Sequence, residues 1–163
     1  VGDGPIIINA ASGISGAGAA ANANTIYHRV ADNQRAYGLG NHRHTAEMQM
    51  VLGRDILFTP HIMACSRGIL VTATLPAAAP DISDPLAILA SAYRDEAFVA
   101  VGKEPPETKW VMGSNAAFVS AHHDQRTGQI IAMAAIDNLG KGASGAAVQN
   151  LNIVLGLDEG AGL

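Results

Sequence analysis

Two strand-like segments joined by a short turn constrain the fold of this 163-residue chain more than any other feature. Residues 116–122 and 129–136 are rich in apolar side chains, and the connection between them, residues 124–128, ends in glycine. A connection of this length joins antiparallel neighbours, because parallel strands need a crossover of a dozen residues or more. Since 163 residues fit one domain, we predict a single α+β domain over residues 1–163, with a mixed or antiparallel sheet.

Hydrophobic runs and capping residues predict the other elements. Three consecutive isoleucines favour a buried first strand, and Asp84 followed by Pro85 predicts the start of a helix. Thr45 is the predicted N-cap of another helix, which ends at Gly53. Strands are predicted over residues 5–10, 56–60, 68–75 and 97–101. Helices are predicted over residues 19–27, 45–52, 85–93 and 144–155, and loops or breaks over residues 32–41, 76–80 and 103–109.

Charge and composition exclude several classes of function. The chain carries 10 basic and 14 acidic side chains, so it has no basic stripe of the kind that binds nucleic-acid phosphates. The sequence contains neither a bilayer-spanning apolar run nor a signal peptide, so we expect no membrane partner. The single cysteine excludes an internal disulfide and a multi-cysteine zinc site, which favours a reducing, cytoplasmic location. Only 15% of residues are charged, and we therefore expect a homo-oligomer with covered surface.

A glycine-rich turn follows the first predicted strand at residues 12–18. Its spacing, Gly13-x-x-Gly16-x-Gly18, differs from the dinucleotide fingerprint, and no P-loop lysine follows. Backbone N–H groups with the Ser12 and Ser15 hydroxyls are suited to a small anion. A tight strand–helix turn explains the glycines equally well.

A second polar cluster lies at residues 41–47. A histidine just ahead of the predicted helix, with Glu47 one turn on, is suited to form a general acid/base pair near neutral pH, and Arg43 is suited to clamp a carboxylate or phosphate. A solvated loop remains open as an alternative, and a metal site formed by His42, His44 and Glu47 with His61 is disfavoured because its spacing is uncommon.

Three further features carry weaker signals. Residues 136–145 place glycines and polar groups before the last predicted helix, where they either face a ligand or cap a turn. His122 and His123 point to opposite faces of a strand and are predicted surface residues. Cys65 is more often a small buried hydrophobe than a nucleophile in such a setting.

Six segments, taken in order, resemble one family. The chain is similar to N-acetyl-gamma-glutamyl-phosphate reductase of arginine biosynthesis, also called N-acetylglutamate semialdehyde dehydrogenase. The reductase of the aminoadipate route to lysine shares much of the pattern, and a non-catalytic oligomerisation or anion-binding module is the alternative from another class. The matching segments are SGISGAG at 12–18, the stretch 37–47 ending in HRHTAE, FTPH at 58–61, RGIL at 67–70, GSN at 113–115 and DNLGKGASGAAVQN at 137–150.

The resemblance implies a fold for this chain and assigns other parts of the site to another domain. It implies the catalytic and dimerisation domain of an NADP-dependent oxidoreductase, similar to the C-terminal domain of glyceraldehyde-3-phosphate dehydrogenase, with helices on one face of the sheet. It also implies that the Rossmann domain and the nucleophilic cysteine lie outside these residues. Cys65 falls at a variable position of the family pattern.

The resemblance also implies site residues. His42 would be the catalytic acid/base and Glu47 would orient it, with no metal at the site. Asn138 would lie near the nicotinamide. The expected substrate contacts, to a small acyl phosphate, are Ser12, Gly13, Ser15, Gly16, Tyr37 and Arg43. The chain departs from the family pattern at Ala19, Ala46 and Gly140.

Overall fold

A computed structural model describes residues 1–20, 22–78 and 84–163. Its centre is one seven-stranded sheet in the order β2-β3-β1-β4-β7-β6-β5. The β1–β3 and β5–β6 pairs are parallel and the other pairs are antiparallel, so the predicted mixed sheet is confirmed. The strands are β1 Ile6–Gly13, β2 Gln34–Ala36, β3 Ile56–Met63, β4 Ile69–Pro76, β5 Val99–Val101, β6 Ala117–Asp124 and β7 Gln129–Ile136.

In the described ranges, five α-helices and two short helical turns accompany the sheet. They are α1 Tyr27–Val30, α2 His44–Leu52, α3 Pro85–Ala92, α4 Thr108–Val111 and α5 Gly145–Leu155, with a 3-10 turn at Ile14–Ala17 and a π-helical turn at Gly140–Ser144. Asp84 caps α3 as predicted, because its carboxylate accepts the N–H groups of Leu86 and Ala87 at 3.0 Å. No helix within the described ranges is long and apolar enough to cross a membrane.

Four predicted elements are wrong in place or extent. The helix predicted over residues 19–27 forms only from Tyr27, because Asn22 and Thr25 bond their side chains to the local backbone and compete with helix formation. The loops predicted at 32–41 and 103–109 contain β2 and the start of α4. Helix α2 begins at His44, ahead of Thr45, and has no side-chain cap. Part of the break predicted at 76–80 lies outside the described residues.

The two faces of the sheet have different surroundings. One face, here called the cavity face, carries Ile6 and Ile8, which are 8% and 7% exposed. On the other, here called the open face, Ile7 is 40% and Leu57 59% exposed. Helix α4 covers one end of the open face, where the Trp110 and Phe118 rings meet edge to face at 5.0 Å. Among the described residues, Ile7 and Leu57 lie away from this end and keep much of their surface exposed.

A buried carboxylate joins three loops at the end of β7. Asp137 has no exposed side-chain surface and accepts the backbone N–H groups of Gly113, Leu139 and Gly140 at 2.6–2.9 Å. The Arg67 guanidinium adds an ion pair at 2.9 Å. Burial alone would raise the pKa of Asp137, but these hydrogen bonds outweigh it and hold that pKa at about 2.

The start of α5 requires glycine at position 145. A Cβ there would collide with Asn115 Oδ1 and lie 2.8 Å from the Gly140 carbonyl oxygen. We expect Gly145→Ala to lower the free energy of unfolding by about 1–3 kcal/mol, as overpacking does in well-packed interiors. Gly142→Ala is the milder comparison, since its nearest atom is 3.2 Å away. Urea unfolding of both variants measures the difference, and equal stabilities would contradict the packing described.

Candidate active site

A cavity of about 330 Å³ opens on the cavity face, at the carboxyl ends of the parallel strands β1 and β3. Its floor is largely apolar and is formed by residues of β1, β3 and β4, including Ile62 and Ile69. His42, Arg43 and His44 line its other side, at the start of α2. None of the described residues that line it is acidic. The remaining lining residues are Ala10, Ser12, Gly13, Gly16, Ala17, Tyr37, Phe58 and Pro60.

His42 is held among aromatic rings. Tyr37, Phe58 and His44 each meet its ring edge to face, with centroids 5.0–5.5 Å away. Burial lowers the pKa of His42, and the neighbouring charges of His44 and Arg43 lower it further, while Glu47 acts in the opposite direction. The imidazole is therefore neutral at pH 7.

The backbone of α2 orients the His42 ring. The His44 N–H donates to His42 Nδ1 at 3.3 Å, which assigns the proton of the neutral ring to Nε2. Glu47 was predicted to orient this ring, but within the described part of the chain the Glu47 carboxylate makes no hydrogen bond or ion pair with it. The helix places Glu47 in its first turn, where its charge acts on His42 only at a distance.

The glycine-rich turn does not form the predicted anion site. The N–H groups of Gly13, Ile14 and Ser15 donate to the carbonyl oxygens of Gly68, Cys65 and Ser66, respectively. These donors are unavailable to an anion, so the turn instead attaches β1 to the β3–β4 connection. Ser12, Gly13 and Gly16 still line the cavity, whereas the Ser15 hydroxyl is buried and has no partner among the described residues.

Asn138 lies behind the turn and its side-chain amide is committed to the backbone. Its Oδ1 accepts the Gly68 N–H at 2.7 Å and its Nδ2 donates to the Gly13 carbonyl at 3.2 Å. The residue is 5% exposed. Both hydrogen bonds are to the backbone, and a contact between Asn138 and the nicotinamide stays a prediction of the resemblance alone.

Cys65 does not share the His42 cavity. It lines two other hollows, and burial raises the pKa of its thiol, which opposes a nucleophilic role. Within residues 1–20, 22–78 and 84–163, no group of three His, Cys, Asp or Glu side chains is placed to hold a metal ion.

His44 and Phe58 were not among the predicted substrate contacts. Both line the cavity and contact the His42 ring. The alternation of side chains along β3 was the available signal for Phe58, since Phe58, Pro60 and Ile62 share one face.

The mixed seven-stranded sheet has counterparts among solved structures. Crystal structures of aspartate semialdehyde dehydrogenase II from Vibrio cholerae have the same fold, with TM-scores of 0.70 and 0.71 at 16% identity; the match covers 93% of this chain and 54% of theirs. The chain belongs to the semialdehyde dehydrogenase dimerisation-domain family, whose sequence profile matches residues 1–138.

Curated relatives are more similar in sequence. The N-acetyl-gamma-glutamyl-phosphate reductase of Desulforudis audaxviator is 46% identical over 98% of this chain and 49% of its own length. The enzyme of the same name from Aquifex aeolicus is 42% identical over 97% of this chain and 47% of its own length. The chain thus spans about half the length of the curated relatives it matches.

Proposed function

We propose that this chain is the catalytic and dimerisation domain of an NADP-dependent reductase that converts N-acetyl-gamma-glutamyl phosphate to N-acetylglutamate semialdehyde in arginine biosynthesis. The supporting observation is the His42 cavity, in a chain whose relatives of that name are 40–46% identical over nearly all of it. Its single free cysteine agrees with a parent protein that works in the cytoplasm.

The chemistry begins with a thiolate of the parent protein. The thiolate attacks the acyl carbon, the bond to phosphate breaks, and inorganic phosphate leaves with its electron pair, so that a thioester remains. When NADP is bound in its reduced form, it supplies the hydride that reduces this thioester. The resulting thiohemiacetal loses a proton from oxygen and expels the thiolate, which releases the aldehyde.

His42 is the residue of this chain that exchanges a hydrogen bond and a proton with the reacting acyl oxygen. A neutral ring with its proton on Nε2 donates a hydrogen bond to the negative charge that develops on the acyl oxygen. When the parent's thiol becomes the thiolate, its proton passes to the ring, and the bond from the His44 N–H is lost. The protonated ring then supplies the proton of the thiohemiacetal and takes it back when the aldehyde forms and the thiolate leaves.

The other cavity residues suit an anionic substrate. Arg43 presents a guanidinium at the rim, the donor type that binds carboxylates and phosphates in bidentate fashion. Tyr37 and Ser12 offer hydroxyls, and burial raises the pKa of Tyr37, so it remains a hydrogen-bond donor at neutral pH.

The nucleophilic thiol and most of the NADP site are assigned to another part of the parent protein. The reason is that Cys65 does not line the His42 cavity, and that the side-chain amide of Asn138 hydrogen-bonds to the backbone. The 163-residue chain alone should then show no phosphate-dependent reduction of NADP with N-acetylglutamate semialdehyde, whereas the full-length parent should show it. Turnover by the chain alone would refute this assignment.

Self-association through the open face is the second part of the proposal. Leu57 and Ile7 lie side by side there with much of their surface exposed, and adjoining strands add Thr74 and Ile131 in the same row. Covering such apolar surface with a second copy removes it from water.

A lysine at position 57 should weaken the dimer. Leu57→Lys would place a charge at the centre of the buried contact, and we expect at least a 10-fold rise in the dissociation constant. Ile88→Lys on α3 is the matched control, because Ile88 is equally exposed, at 62%, but lies outside the sheet. Light scattering should give twice the 16.7 kDa chain mass for the control and a falling mass for Leu57→Lys on dilution. Equal masses for both variants would exclude this face.

A further inference from the structure

The ladder between β1 and β4 ends at the pair Ser12–Ile69, next to the cavity. Continuing its register by one residue sets Gly13 opposite Gly68, and the hydrogen bonding there is altered. An antiparallel pair in this setting normally exchanges two N–H to carbonyl bonds. Here the Gly13 N–H donates to the Gly68 carbonyl at 2.8 Å, but the return bond is replaced by the side-chain amide of Asn138.

The Asn138 amide occupies the position of a peptide group between two strands. Its Oδ1 accepts from Gly68, and its Nδ2 donates to the Gly13 carbonyl, which also accepts the Ser12 hydroxyl at 3.1 Å. The direct bond from the Gly13 N–H keeps the two backbones in contact here, and the amide takes the place of the return bond. Beyond it the chain leaves the sheet, and the N–H groups of Ile14 and Ser15 bond to the β3–β4 connection instead.

This insertion sets the wall of the His42 cavity. A Cβ on Gly16 would lie 2.8 Å from Ser12 Oγ and 3.3 Å from Asn138 Nδ2, so these three residues meet closely. Ser12 and Gly16 both line the cavity. Asn138 itself is fixed by its neighbour Asp137, whose carboxylate is fully buried and bonded on several sides.

We propose that Asn138 is a positioning residue: its amide replaces a backbone peptide between β1 and β4 and thereby sets the course of the turn that brings Ser12 and Gly16 to the His42 cavity. This role goes beyond the proposed reaction and does not depend on it.

Amide hydrogen exchange of the 163-residue chain tests the proposal. In N138A, the protection factors of the Ile14 and Ser15 amides should fall at least about 10-fold, while those of the β6–β7 hairpin change less than about 3-fold. N152A is the matched control, because Asn152 is another buried amide, 4% exposed, bonded to the Glu159 and Ala161 carbonyls in a different part of the fold. It should leave the protection of the turn unchanged.

The N138D variant separates positioning from simple loss of packing. At pH 7 its carboxylate accepts from Gly68 but cannot donate to the Gly13 carbonyl, so the turn should lose protection. Lowering the pH protonates the new carboxyl and restores a donor, so protection of Ile14 and Ser15 should return towards wild type in N138D but not in N138A. A pH-independent loss in N138D, or an unchanged turn in N138A, would overturn the proposal.

Discussion

Replacing Asp137 by alanine should produce the largest loss of stability in this protein, about 3–5 kcal/mol in the free energy of unfolding. The variant leaves the N–H groups of Gly113, Leu139 and Gly140 without their acceptor and removes the partner of the Arg67 guanidinium. Asp137 itself is fully buried, and alanine offers no replacement acceptor for the groups that bonded to its carboxylate.

Urea unfolding at neutral pH measures this loss, with D124A as the control. Asp124 forms an ion pair with Arg126 at 3.3 Å, but that arginine is 82% exposed, and we expect a much smaller loss than for D137A. Similar losses for the two variants would show that the hydrogen bonds and ion pair of Asp137 do not hold the three loops together.

The same carboxylate should make stability depend on pH in acid. Its pKa is about 2 in the folded chain, below the ordinary value of 3.8, so the folded state favours the charged form. This contribution is fully present above pH 3.8 and is lost as the pH falls towards 2. D137N should lack that part of the acid dependence, whereas D124A should keep it.

Replacing His42 by asparagine should lower the kcat of the full-length parent by a factor of about 10² to 10⁴, the usual contribution of a positioned acid/base. The expected effect on KM is smaller, because the ring serves the reacting oxygen more than it binds the substrate. His28→Asn is the matched control, since His28 is an exposed imidazole on α1, outside the cavity. A kcat that falls equally in both variants, or in neither, would remove His42 from the mechanism.

The pH dependence of kcat/KM tests the role of His42 independently. Burial and the charges of His44 and Arg43 lower the pKa of His42 below its ordinary 6.5. The neutral ring therefore persists from pH 8 to about 6.5, and kcat/KM should decline only below that range. A decline centred well above pH 6.5 would contradict the environment described for this ring.

Local sequence signals predicted the elements that local interactions form. The hairpin of β6 and β7, the Asp84 cap of α3 and the glycine that ends α5 all depend on residues close together in the chain. The helix predicted over residues 19–27 is wrong because side-chain bonds of Asn22 and Thr25, also local, compete with it.

The site depends on contacts that no local pattern contains. The segment with His42 was predicted as functional, and the structure brings it to Ser12, Gly16 and Tyr37 in one cavity. The anion site failed because the donors of the turn bond to Cys65 and Ser66, some fifty residues away along the chain. Asn138 donates a hydrogen bond to the carbonyl of Gly13, 125 residues before it, and no local sequence pattern predicts such a bond.

The measurement that tests the central claim most directly is the substrate preference of the full-length parent. With NADP and inorganic phosphate, kcat/KM for N-acetylglutamate semialdehyde should exceed that for aspartate semialdehyde by at least about 100-fold, which corresponds to about 2.7 kcal/mol. This result is expected if the His42 cavity belongs to an N-acetyl-gamma-glutamyl-phosphate reductase. A preference for aspartate semialdehyde, or no phosphate-dependent turnover of either aldehyde, would contradict it.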